Sequence, residues 1–220
     1  MKKSIAIVLF AGLSSALLAQ KIRVSESHEN IGGASHNALI VSVYEVDAKD
    51  VEKEWKSQMK GYGAKVSNNN GEWYGNNAVI KELGKKTIDI YARVEDKKDE
   101  VKLIVAFDLG GAWLTSSDQK DQYKQAETIL HDFAFKLTKE SIDNQVKNQQ
   151  KALDKLTGQQ KDLVKQNTNL NNEVSDYQNR IKKDQDAIEK NKKDQEEKQK
   201  DIEKQQKVVE ELNKKDKEVE

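Results

Sequence analysis

Apolar and polar residues alternate with a period of two along two stretches of the chain. Ile88, Ile90, Ala92 and Val94 interleave with Asp89, Tyr91 and Arg93; Val101, Leu103, Val105, Phe107 and Leu109 interleave with Lys102, Ile104, Ala106 and Asp108. Successive strand residues point to opposite faces, so each stretch predicts a strand with one face turned inward. The polar segment 95–100 between them predicts an antiparallel hairpin. A second hairpin is expected where Asn68-Asn69-Asn70-Gly71 separates short strands at 64–67 and 72–74, because Asn-Gly supplies the positive-φ positions of a tight turn. The β-rich run 38–46 predicts a further strand, and 78–83 a short one before Gly84.

Elsewhere the period lengthens. Val51, Trp55 and Met59 recur every four residues after Asp47, which predicts a helix opened by Asp47 and ended by Gly61 and Gly63. A second helix opens near Asp118. Its residues Tyr123, Ala126, Ile129, Leu130, Phe133, Ala134 and Leu137 form a face broad enough to cover a sheet.

Past Ile142 this broad face is expected to narrow to a heptad seam. Counting Val146 as position a, the a series reads Val146, Leu153, Gln160, Asn167, Val174, Ile181, Ile188, Gln195, Ile202, Val209. The d series reads Gln149, Leu156, Leu163, Leu170, Tyr177, Asp184, Asn191, Lys198, Gln205, Leu212. One register holding over ten repeats is the coiled-coil signature. The seam is mostly filled from 146 to 181 and polar at every d from 184 to 205, where pairing is expected to be weak, fraying or only local. Asn167 at an a position favours a parallel dimer, and the Gln-rich e and g positions encode little choice of partner, which favours self-association. The poor helix formers at 166–172 offer a second geometry, a hairpin turn near 167–172.

The expected fold class is therefore α+β: an antiparallel sheet with two helices packed on one face, followed by a long C-terminal α-helical coiled coil. In element order alone this resembles split-βαβ and helix-grip folds, an order that says nothing of function.

Composition divides the chain at the same place. Residues 20–143 hold 48 apolar residues in 124, against 17 in 77 for 144–220. Only the first stretch can bury a core; the second needs a partner helix to bury its apolar side chains. The chain has no Pro, where an average composition would give about 11. This suits a long uninterrupted helix. The predicted organisation is 1–19 signal peptide, 20–143 α+β domain with a flexible segment at 20–37, and 144–220 coil.

Residues 1–19 carry Lys2 and Lys3, an apolar run at 5–13 and a small residue, Ala19, before the expected cleavage. The run is shorter than the roughly 20 residues of a spanning helix. The pattern is that of a bacterial secretory signal, and predicts a periplasmic or secreted protein with no transmembrane segment after signal removal. No Cys is present, so there is no lipidation site, disulfide or thiolate metal site. Thirty-eight basic and 38 acidic residues balance over the whole chain, and 18 and 17 over the tail, which argues against a nucleic-acid arm.

Candidate chemistry is sparse. His28 and His36, with Glu26 or Glu29, supply metal-ligand types without a helix-face spacing, and the expected metal and cofactor are none. His131 reads as a surface residue of the second helix. Gly61-Tyr62-Gly63 lacks the third glycine of a dinucleotide fingerprint, and no nucleophile elbow is found. Gly110-Gly111 ends a strand before Trp113. Asp89, Tyr91 and Arg93 share an outward strand face. Trp73, Tyr74 and Trp113 lie at turns or strand ends, where aromatics act as core lids or as a recognition surface for a glycan or an envelope protein. These features predict a non-enzymatic exported interaction protein. The alternatives are a ligand-binding module with a pocket between sheet and helices, and a hydrolase using His131 or the His28/His36 segment.

Overall fold

The computed structural model describes residues 21–219; the predicted signal peptide lies outside them. Six strands and two helices follow in the order β1 (Val24–Ile31), β2 (Ala34–Val43), α1 (Ala48–Gly61), β3 (Lys65–Asn69), β4 (Glu72–Ala78), β5 (Ile88–Asp96), β6 (Val101–Asp108) and α2 (Lys120–Val219). The chain divides into two compact units, Met1–Gln149 and Gln150–Glu220.

The strands form one antiparallel sheet in the order β1-β2-β6-β5-β4-β3. β3 to β6 are a meander of hairpins, and the last strand returns to pair with β2, with Leu39 opposite Val105 and Val41 opposite Leu103. The period-two pattern decides which side is buried. Val101, Leu103, Val105 and Phe107 of β6, Ile88, Ile90 and Ala92 of β5, and Leu39, Val41 and Val43 of β2 enter one core with both helices. α1 contributes Val51, Trp55 and Met59; α2 contributes Ala126, Leu130, Phe133, Ala134 and Leu137. The Trp55 and Phe133 rings meet edge to face with centroids 5.1 Å apart, joining the two helices over the sheet. Gly75 of β4 lies beneath α1, where a Cβ would come within 3.0 Å of Met59 Sδ.

Three boundaries differ from expectation. The segment 20–37, read as flexible, is strand over most of its length: all eight residues of β1 pair with β2, and β2 begins at Ala34. β1 is an edge strand, so its backbone hydrogen bonds hold it without a continuous apolar face. No strand forms at 78–83; β4 ends at Ala78 and the chain turns through Leu83 and Gly84, whose amides bond back to Ile80 O. α2 begins at Lys120, and runs as helix through 166–172, so the turn considered near 167–172 is not formed.

A fourth difference concerns α2. Its sheet-covering face was expected to narrow into the heptad seam. Instead Phe135 and Ile142 are exposed while Phe133, Ala134 and Leu137 are buried. At 3.6 residues per turn Phe135 lies roughly half a turn from Phe133 and Leu137, so it is on the side of α2 away from the core.

Candidate recognition surface

The other face of the sheet carries a small second core: Ile31, Ala38, Ile104 and Ala106, with Ile40, Tyr91 and Trp113 packed against it. Those on β2, β5 and β6 have the parity opposite to the main core; Ile31 comes from β1 and Trp113 from the turn after β6. They are covered because the β1–β2 tip lies over the sheet. Gly32 N donates to Glu72 Oε1 (3.0 Å). Arg93 holds the same tip, donating to Asn30 O (2.7 Å) and pairing with Glu29 (2.6 Å). At Gly32 φ is +69°, and a Cβ would stand 3.0 Å from the Trp113 ring and 3.3 Å from Tyr91. The tip passes so close to these rings because residue 32 has no side chain.

Trp113 reaches this face through the turn after β6. Asp108 pairs with Trp113 as an isolated bridge, Leu109 N bonds Ala112 O (2.9 Å), and Leu114 N bonds Phe107 O (2.9 Å). The Asp108 carboxylate accepts from Gly110 N and Gly111 N, which fixes the turn between them (2.9 and 3.0 Å).

The far end of the loop is latched to β1 and β2. Asn37, itself buried, donates from Nδ2 to Leu114 O (2.8 Å) and to Glu26 Oε1 (2.5 Å). Glu26 also accepts from Ser116 N (2.8 Å) and Ser116 Oγ (2.5 Å). Burial pushes the Glu26 pKa up, but the hydrogen bonds from Ser116 and Asn37 outweigh it and hold the carboxyl below its ordinary value.

The result is a row of four rings. His36 stacks on Trp113 (centroids 3.7 Å, 14°), Trp113 neighbours Tyr91 (5.3 Å), and Tyr91 neighbours Tyr74 (4.8 Å). All four are half-buried. Tyr74 Oη donates to Asp89 Oδ2 (2.7 Å) and accepts from Asn76 Nδ2 (2.6 Å); Asp89 Oδ1 accepts from Asn77 N (2.9 Å). The Asn76 bond lowers the Tyr74 pKa, but the Asp89 acceptor and burial together raise it. Burial first, then the neighbouring Tyr74, Asp89 and Asp108, push Tyr91 up to about 12. Both phenols are therefore neutral at physiological pH. The row can stack on a flat or apolar ligand face, while the Tyr74 hydroxyl proton is already given to Asp89.

Of the three aromatics singled out from sequence, the structure brings together Tyr74 and Trp113, with Tyr91 between them. It separates Trp73, which lies on the helix side of β4 with Lys56 Nζ 4.9 Å from its ring centre. Adjacent strand residues must point to opposite faces, so Trp73 and Tyr74 could not have shared a surface. His36 and Tyr91 join the row without having been grouped with these aromatics. Tyr91 was readable as the outward residue of β5; His36 was hidden by reading its segment as flexible.

The candidate metal residues do not converge. The β1–β2 register sets His28 opposite Asn37 and Glu29 opposite His36, so Glu26 and His28 take one face and Glu29 and His36 the other. Among the described residues no group of three or more His, Asp or Glu could hold a metal ion. His131 is exposed, with Nδ1 3.2 Å from Asp132 Oδ1 and its ring stacked on Phe135. The space between sheet and helices is filled by Trp55, Met59, Leu103, Phe107 and Leu130. Among the described residues no helix is long and apolar enough to cross a membrane.

Unit 2 is helix throughout its described length. Its a and d residues Leu153, Leu156, Leu163, Leu170, Val174, Tyr177, Ile181, Ile188, Ile202, Val209 and Leu212 are all exposed. Polar neighbours are satisfied along the helix, as in Asn171 Nδ2 to Asn167 Oδ1 (2.6 Å) and Lys193 to Glu189 (3.9 Å). Comparison with family models, curated proteins and solved structures finds no match to the chain.

Proposed function

We propose that this is an exported, non-enzymatic interaction protein whose α+β unit is paired with a second copy through a coiled coil formed by α2. One observation carries the reading. A single heptad register of large apolar side chains runs along the helix, and every one of them from Val146 to Leu212 is exposed in the lone chain. In water such a row is stabilised by a partner helix with the same periodicity.

A second copy in parallel register is the partner that fits. It sets Gln160 against Gln160 and Asn167 against Asn167, the arrangement in which buried polar a residues hydrogen-bond each other. Antiparallel pairing centred on residue 165 would set Asn167 against Leu163 and Gln160 against Leu170, leaving amides unsatisfied against leucine. Export is supported by the basic and apolar pattern of 1–19. A non-enzymatic role is supported by the use of Glu26, Glu29, Asp89, Arg93 and Asp108 in hydrogen bonds that hold the fold. Pairing doubles whatever the α+β unit binds, which favours envelope proteins or glycans presented in many copies.

Replacing both Leu163 and Leu170 by Asp places four carboxylates in the paired seam. The variant should behave as a monomer in sedimentation velocity, while thermal unfolding of the α+β unit, followed by Trp fluorescence, stays unchanged. An unaltered dimer would contradict the assignment of the seam.

A second reading, a ligand-binding module, is favoured by the ring row of His36, Trp113, Tyr91 and Tyr74. Saturable quenching of Trp fluorescence by soluble glycan fragments, absent in Trp113→Ala, would distinguish it.

A further inference from the structure

Within unit 1, α2 carries three large apolar side chains that the fold does not use, Val146 of the a series and, before it, Phe135 and Ile142. Phe135 is 53% exposed and Ile142 44%, although their neighbours Phe133, Ala134 and Leu137 are buried. A single exposed apolar residue needs no explanation. These two, however, stand in sequence at steps of seven from Gln149, and the same steps lead on to Leu156, Leu163, Leu170 and Tyr177. They are two further d positions, on the side of the helix away from the core.

We propose that the paired seam begins inside unit 1, at Phe135, and that Phe135 and Ile142 pack against the same residues of a second copy of this chain. The inference rests on the self-association reading above and adds where the interface starts. Three observations support it. The strip flanking these residues is open, with Thr128, His131, Asp132, Lys136 and Lys139 all exposed. The core-facing side of α2 is already covered, so a second helix has one apolar side left to meet. The row also has a reason to stop: the preceding a position is Asp132, and two carboxylates would face each other there in a parallel pair. The a position between Phe135 and Ile142 is Lys139, whose ammonium is held by Asp143 at 2.9 Å. The His131 ring, parallel to that of Phe135 at 6.2 Å, covers one flank of the first d residue.

The chain has no Cys, so one introduced thiol is the only one per copy. The experiment makes Phe135→Cys, Ile142→Cys, Leu170→Cys and, at an exposed f position, Asn144→Cys. Each is treated with a mild oxidant and, separately, with a short bis-maleimide that does not require disulfide geometry. Circular dichroism and Trp fluorescence check that each variant is folded; none of the four positions is in the core. The expected result is efficient interchain crosslinking at 135, 142 and 170, at least fivefold above the 144 control. Crosslinking at 170 with none above control at 135 or 142 would overturn this inference and leave the self-association reading standing. Crosslinking at 142 but not 135 would overturn the start at Phe135. Absence of crosslinking at 170, together with a monomeric mass, would overturn both.

Discussion

Gly32 controls how closely the β1–β2 tip lies on the aromatic row. Its neighbour Gly33 has a similar backbone, φ +87° against +69°, but nothing within 4 Å of a would-be Cβ, whereas Gly32 has Trp113 at 3.0 Å. The pair separates backbone strain from contact. Gly33→Ala should lose only the positive-φ penalty, about 1 kcal/mol. Gly32→Ala should lose that and displace Trp113, for a total of about 2–3 kcal/mol with a shifted Trp emission. Urea unfolding of both variants measures this, and equal losses would mean that the close approach carries no energy. At this scale the sequence misled in one informative way. Trp73 and Tyr74 are grouped with Trp113 by their place at turns or strand ends, yet adjacency in a strand guarantees opposite faces. Trp113 could be singled out, but its stacking on His36 depends on a hairpin tip whose position no local pattern encodes.

At the scale of elements, the far end of the loop from β6 to α2 is latched by the Glu26 carboxylate. Glu26 accepts hydrogen bonds from Asn37 and from both the amide and hydroxyl of Ser116, and its folded-state pKa lies below its ordinary value. A carboxyl depressed in this way contributes stability that is complete above its unfolded pKa and is lost as pH falls through the folded one. Wild type should therefore lose stability as pH falls from about 5 towards 3, and Glu26→Gln should lose less over that window. Part of the acid loss will remain in the variant. Glu95 is also held low, chiefly by Lys97, and Glu100 chiefly by its hydrogen bond from Ser42. Denaturant titrations at a series of pH values provide the check; parallel profiles for the two proteins would remove Glu26 from the account.

The same scale shows which elements were legible. β5 and β6 could be read because alternate residues, Ile88, Ile90 and Ala92 in one and Val101 to Phe107 in the other, are buried, and α1 because Val51, Trp55 and Met59 line up on one side. β1 could not. Its residues VSESHENI put polar side chains on both faces, and the strand exists through its backbone pairing with β2. The exposed positions Phe135 and Ile142 were hard to read for the opposite reason: α2 is apolar on two sides near Phe133 and Phe135, and the broader side masks the other.

For the whole molecule, the balance of charge and the absence of Pro and Cys fit a chain whose last 77 residues need to be one helix and little else. Of these, 144–219 belong to α2, 100 residues long from Lys120 to Val219, and charge pairs such as Lys193–Glu189 and Lys204–Asp201 lie along it. Exposed pairs of this kind contribute a few tenths of a kcal/mol each. They cannot substitute for burial of the a and d side chains, so the account depends on the second copy. The most direct test is the solution mass of residues 20–220 by light scattering coupled to size-exclusion chromatography, across a hundredfold range of concentration. Twice the chain mass is expected over most of that range. A mass of one chain at every concentration would contradict it.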